Sequence, residues 1–140
     1  MIKRLTIIEI EFIAHAMARE TLAWNEPIPD FSTRYPGKLE SCLAMPFQKF
    51  SRKNLYEGLI GKAAIMFYLM IKNHPFQNGN KRIAVTTLLL LLYKNGKWIS
   101  ASNETLYRFA VLVAQSPAEL KKEIVILIEN FLEKYVKDAK

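Results

Sequence analysis

A chain of 140 residues with 51% hydrophobic content has enough apolar material for one continuous core and too little length for a second independent domain. Twenty Lys and Arg against thirteen Asp and Glu give a net charge of +7, and Gly and Pro are few; disordered, collagen-like and low-complexity classes are excluded, leaving a globular protein whose field attracts anions. The single cysteine, Cys42, excludes an internal disulfide, and without an apolar leader pattern a reducing cytoplasm is the expected compartment.

Thr6-Ile7-Ile8-Glu9 has capping-box spacing and predicts a first helix over residues 7–22. Pro27, Pro29, Pro36 and Gly37 break any regular pattern, so residues 25–38 read as a loop. Leu39, Cys42 and Leu43 fall at helical spacing and predict a short helix that stops near Pro46, with Cys42 facing the core. From there to about Asn54, the chain, which mixes aromatic and polar side chains in alternation over residues 45–51, has the pattern of a small hairpin or extended flap.

Tyr56, Leu59, Ile60, Ala63, Ala64, Phe67, Met70 and Ile71 predict a long helix ending just before His74, and their spread around the circumference makes it central. The next helix, residues 81–93, is more apolar still and meets a stop signal at Lys94-Asn95-Gly96. Its uncharged run from Ile83 to Tyr93 is well short of the roughly 20 residues that cross a bilayer, so no membrane partner is expected. A short extended stretch over residues 97–101 precedes an amphipathic helix marked by Leu106, Phe109, Ala110 and Val113. Ser116-Pro117-Ala118-Glu119 supplies an N-cap, a helix-starting proline and a capping-box glutamate for a final helix to about residue 136, with Ile124, Leu127, Ile128, Phe131 and Leu132 inward. The expected fold is all-α, one domain over residues 1–140, packed around a central helical hairpin.

Between the two central helices lies His74-Pro75-Phe76-Gln77-Asn78-Gly79-Asn80-Lys81-Arg82. Pro75 disfavours a helical conformation at His74, Phe76 is expected to anchor the turn in the core, and Asn78-Gly79-Asn80 has the residues of a tight or left-handed turn. Lys81 and Arg82 fall in the first turn of a helix, where the macrodipole and unpaired N–H groups are already positive. A bound anion would relieve that conflict, which makes the helix start a candidate phosphate site; an imidazole beside it suits general-base work, since histidine titrates near neutral pH. Taken singly, His74 reads as an ordinary junction residue and the two cations as solvated. No packing need accounts for all of them together.

The segment resembles the motif of the Fic/Doc superfamily, and Lys81, where the adenylylating Fic enzymes have glycine, resembles its death-on-curing (Doc) toxin branch. The likeness extends through Gly37-Lys38-Leu39-Glu40-Ser41 and the apolar helix ending at Asn95-Gly96, over roughly residues 5–136. It implies an all-α fold and transfer of a phosphate-containing group from ATP to a protein hydroxyl. His74 would be the catalytic base; Gly79, Asn80, Lys81 and Arg82 would bind the nucleotide phosphates. Pro46, Phe47, Gln48 and Lys49 would belong to a flap that aligns the target. Lysine at position 81 is associated with an inverted nucleotide and kinase activity, with elongation factor Tu as the Doc substrate and a separate antitoxin protein as the regulator. AMP transfer is the alternative, disfavoured by Val85, where the adenylylating branch has a second arginine. The family has Asp or Glu where this chain has Asn78, the position that holds Mg²⁺; an amide brings no charge, so weaker metal binding is expected, and a phosphate-binding module without strong catalysis is a further alternative.

Other signals were weaker. No inhibitory helix is visible, because Lys53 and Val125 stand where Ser or Thr would precede Glu57-Gly58 or Glu129-Asn130. Gly58, Gly61 and Lys62 suggest a P-loop, but Tyr56 and Ala63 occupy its required glycine and hydroxyl positions. His15, His74 and Cys42 are too dispersed for a zinc site, and Trp24 and Trp98 read as packing or rim residues. Nucleic-acid binding ranks last, because the cations are scattered along the chain and read as solvated helix faces.

Overall fold

The structure, a computed structural model, describes residues 1–21 and 27–139. Thr6 caps the first helix as its sequence requires: its side chain accepts from Glu9 N–H, and the Glu9 carboxylate accepts from Thr6 N–H. Helix α1 consists of Ile7–Glu9, Ile10–His15 and Ala16–Thr21, and its middle stretch is π-helical. This corrects the uniform α-helix expected there; Thr86 Oγ1 from a neighbouring helix donates to the Ala14 carbonyl at 2.8 Å, a side chain set against the ladder where its turns widen. Leu22, Trp24 and the first two residues of the expected loop lie outside the described residues.

Helix α2 spans Pro36–Ala44, with Pro36 in the first turn, where a missing N–H leaves no bond unmade. The expected loop is therefore shorter than residues 25–38, and Gly37 and Lys38 are helical. Cys42 faces the core, fully buried. A 3-10 turn, Met45–Phe47, leads to the antiparallel strands β1 (Lys49–Phe50) and β2 (Lys53–Asn54). Ser51 and Arg52 between them both have positive φ, as a two-residue hairpin turn requires. The hairpin thus lies within the expected stretch, but most of the four candidates precede it: Pro46 is buried in the 3-10 turn with Phe47, Gln48 follows that turn, and only Lys49 is in a strand.

Helix α3 (Gly58–Lys72) is buried continuously over residues 61–71, and α4 (Asn80–Lys94) is nearly as enclosed. An apolar surface on every side can be satisfied only at the centre, so the other elements pack around this hairpin. Gly96, at φ +77, ends it in the left-handed conformation its stop signal predicts. Strand β3 (Lys97–Ile99) leads to α5 (Asn103–Gln115), capped by the Ser102 hydroxyl accepting from Thr105 N–H.

The start signal at Ser116-Pro117-Ala118-Glu119 is read differently by the fold. The Ser116 hydroxyl donates to the Val113 carbonyl at 2.6 Å and closes α5, and the residue that precedes the next turn is Pro117, which offers no side-chain cap. Ala118–Leu120 forms a 3-10 turn, and α6 runs Lys121–Tyr135. Ile128 and Leu132 are buried, whereas Leu127, expected inward, is 41% exposed. Strand β4 (Val136–Asp138) pairs antiparallel with β3, Ile99 opposite Val136. Phe109 of α5 stacks on Phe67 of α3 and Phe131 of α6, with centroids 6.2 and 4.1 Å apart, joining these helices.

Among the described residues the architecture is all-α with two small strand pairs. No helix among the described residues is long and apolar enough to cross a membrane. Burial pushes the Cys42 thiol up to about 12. Native protein at mildly alkaline pH should therefore resist iodoacetamide, while urea-unfolded protein should be alkylated fully by mass spectrometry.

Candidate active site

Helix α3 ends at Lys72, and His74 takes φ +49, outside the right-handed helical region that Pro75 denies it. A positive φ is uncommon for a residue with a side chain; here it turns the imidazole out of the helix and leaves it exposed. His74 lines a groove of about 530 Å³ with Gly37, Lys38 and Ser41 of α2 and with Lys72 and Asn73. Tyr35 N–H donates to the Pro75 carbonyl at 2.8 Å, which fixes the start of α2 beside the loop.

Phe76 is the anchor expected of it, 1% exposed and packed against His15 and Phe31 with centroids 5.7 and 5.9 Å away. Buried His15 Nε2 lies 3.0 Å from the Pro29 carbonyl, so that nitrogen carries the ring proton and donates. This structural role of His15 had no signal in the sequence, where it is remote from both Phe31 and Phe76.

Asn80 opens α4 and is buried. Its Oδ1 accepts from Phe76 N–H at 3.0 Å and its Nδ2 donates to the Phe76 carbonyl at 2.9 Å. Only one orientation of the amide makes both bonds, so Nδ2 is also the atom facing His74 Nδ1, 3.4 Å away. Nδ1 must then be an acceptor, and neutral His74 carries its proton on Nε2. Gly79 has φ +74, and a Cβ there would come within 2.8 Å of Ile28 Cδ1 and 3.2 Å of the Pro27 carbonyl oxygen. Glycine is therefore demanded both by conformation and by the chain crossing it. Asn78 is exposed, and its Oδ1 accepts from Gly79 N–H at 2.9 Å.

The cations part company. Lys81 is half-buried in the first turn of α4. Arg82 is 6% exposed and donates from Nη2 to the Ala18 carbonyl in the last stretch of α1. A helix carbonyl that accepts from a guanidinium meets part of its charge, so α1 supplies part of the compensation that the sequence assigned to an anion.

The Fic/DOC family model matches residues 5–92, more than half of the chain and all of this loop. The chain belongs to the Fic/DOC family. Members of that family in general transfer nucleotide-derived groups to proteins. Searches of curated proteins and of solved structures gave no match.

Within this Fic/DOC chain the structure brings His74, Phe76, Asn78, Gly79, Asn80 and Lys81 to one loop, and turns Arg82 toward α1. The flap is elsewhere. Phe47, Lys49 and Asn54 border a cavity with Gly58 and Lys62, at the start of α3, whereas His74 follows its end. A helix of 15 residues is about 20 Å long, so the groove beside His74 is walled by α2 in place of the flap. The metal position is poorly equipped as well: Asn78 Oδ1 is engaged by Gly79 N–H, and no three of His, Cys, Asp and Glu gather among the described residues. These donors do not fit a Mg²⁺ ion held by the protein alone.

Gly79→Ala should lower unfolding free energy by about 2 kcal/mol or more, from strain at positive φ and the contact with Ile28, as read from the urea midpoint. Burial holds His15 below its ordinary value of 6.5, because the charged ring would be desolvated; this outweighs the favourable Pro29 carbonyl. The unfolded chain therefore takes the proton first, and this contribution to stability is intact above 6.5 and is lost as pH falls below it. The urea midpoint should fall over that range in the parent, with a shallower pH dependence in His15→Gln.

Proposed function

We propose that this chain is a Doc-like protein kinase, transferring the terminal phosphate of ATP to a hydroxyl of a translation factor such as elongation factor Tu, and that a separate antitoxin protein restrains it. The observation that carries this reading is Lys81 in the first turn of α4, where the adenylylating branch has glycine, on the same loop as an exposed histidine. Val85 supports it: where AMP-transferring relatives have a second arginine, this side chain is fully buried and offers a phosphate nothing.

In the reaction, the acceptor hydroxyl would enter the groove between α2 and the loop. His74 takes its proton while the oxygen attacks the terminal phosphorus; the bond from that phosphorus to the bridging oxygen breaks, and ADP leaves. For Nε2 to be the base, its proton must first move and Nδ1–H must turn away from the Asn80 Nδ2 donor to an acceptor; otherwise Nδ1 is the basic atom. The first N–H groups of α4 and Lys81 take the phosphate charge. Asn80 keeps the loop in shape through Phe76, and Arg82 holds α1 against the start of α4.

The second reading is a nucleotide- or phosphate-binding module with little turnover, favoured by the uncharged Asn78 with its oxygen already engaged. Incubation with elongation factor Tu and ATP labelled at either the alpha or the gamma phosphate separates the possibilities. Gamma label on protein, reduced about 100-fold or more in His74→Ala, is expected for the kinase. Alpha label on protein would mean AMP transfer. No label from the parent, with turnover appearing in Asn78→Asp, would establish the module.

A further inference from the structure

The end of the central hairpin remote from His74 holds a cavity of about 960 Å³ between the N-terminal segment, the hairpin β1–β2 and the start of α3. Lys3, Arg4, Lys49, Lys62 and Lys94 line it, and among the described residues no carboxylate does. Glu9 behind the wall pairs with Lys94 at 2.8 Å, which leaves four positive charges in excess. The same cations are scattered along the sequence; folding collects them.

Lys62 is the most informative of these. It is only 4% exposed, its Nζ donates to the Tyr56 carbonyl at 2.6 Å, and it lies 5.7 Å from the centre of the Phe47 ring. Among the described residues no carboxylate pairs with it. A buried ammonium is costly unless its charge and its three donors are met, and one neutral carbonyl with an aromatic ring falls short of that. A methionine would fill the same volume, so packing alone does not call for lysine here.

The surrounding wall is held in position. Asn95 accepts from Lys3 N–H at 2.6 Å and donates to the Lys3 carbonyl at 3.0 Å, while Lys94 Nζ donates to the Arg4 carbonyl at 2.6 Å. Arg4 in turn lies over Phe47, 4.7 Å from its ring centre. The cationic side chains therefore project from a backbone strapped to the end of α4.

We propose that this cavity is a second anion site, separate from the motif loop, that binds an oligophosphate: a small molecule with two or more linked phosphate groups. Its size is that of a small-ligand pocket. A nucleic-acid duplex or a folded protein surface cannot reach a lysine this deep, whereas a slender phosphate chain can, and its oxygens accept from several ammonium groups at once. Phe47 already carries Arg4 and Lys62, so the phosphate chain, not a stacked base, supplies the recognition. From Lys62 to the end of α3 is about 15 Å, which keeps this site distinct from the candidate active site.

Calorimetric titration of the full chain at low salt with inorganic triphosphate, ATP and orthophosphate tests this. Triphosphate should bind at one site at least about tenfold more tightly than orthophosphate, and Lys62→Met and Arg4→Gln should each weaken it about tenfold. The tightest triphosphate binding should persist in His74→Ala and in Lys81→Gln, which weakens only the separate association at the motif loop. Arg4 is exposed, so its variant tests the site even if Lys62→Met disturbs the fold. In the Lys81→Gln background, equal affinity for ATP and triphosphate means that phosphates alone are recognised; tighter ATP binding adds a nucleoside contact, and both outcomes support the site. Triphosphate binding no tighter than orthophosphate overturns it. So does binding abolished by Lys81→Gln but kept in Lys62→Met, or an oligonucleotide that binds where triphosphate does not.

Discussion

The two bonds between the Asn80 side chain and the Phe76 backbone, one accepted from the N–H and one donated to the carbonyl, close the loop on which the rest of the site depends. They fasten the first residue of α4 to the residue anchored between His15 and Phe31, so the turn is held at once by hydrogen bonds and by aromatic packing. Both bonds are buried, where an unmade partner is expensive, and the amide orientation is thereby settled. The closed loop leaves its neighbours little freedom. Gly79 must adopt a left-handed conformation beneath Ile28, and Asn80 Nδ2 faces the imidazole.

Electrostatics divides the molecule into two ends. At the motif end, a helix start that carries two cations invites two kinds of relief: the anion proposed for the exposed side and a carbonyl of α1 on the buried side. Arg82 takes the second, donating to Ala18, while Lys81 remains in the half-buried first turn. At the other end, the close of α4 and the opening of α3 bring lysines from distant parts of the chain around one cavity, with Lys62 beneath the surface. A net positive charge that looks diffuse along the sequence is therefore concentrated in space.

The same contrast runs through the secondary structure. Helices α3 and α4 were legible because residues apolar on every side have one stable place, the centre, and the capping signals at Thr6 and Gly96 work as written. The signal at Ser116 was equally strong locally, yet its hydroxyl bonds a carbonyl of the preceding helix, and the next turn begins one residue later, after Pro117. The π-helical turns of α1 lie against Thr86, whose hydroxyl reaches Ala14, and β4 forms because residues 97–99 wait at the far side of the fold. Neither partner is near in sequence.

By itself, the sequence determined the helical class, the central hairpin, the motif loop and Phe76 as its anchor, because periodicity, proline and glycine act within a few residues. Only the tertiary structure decided where the polar side chains turn: Arg82 toward α1, Asn80 onto Phe76, His15 behind the loop and the flap to the end remote from His74. The physical reason is that a buried donor or charge takes whichever acceptor the packed core brings within reach, and that acceptor belongs to another element.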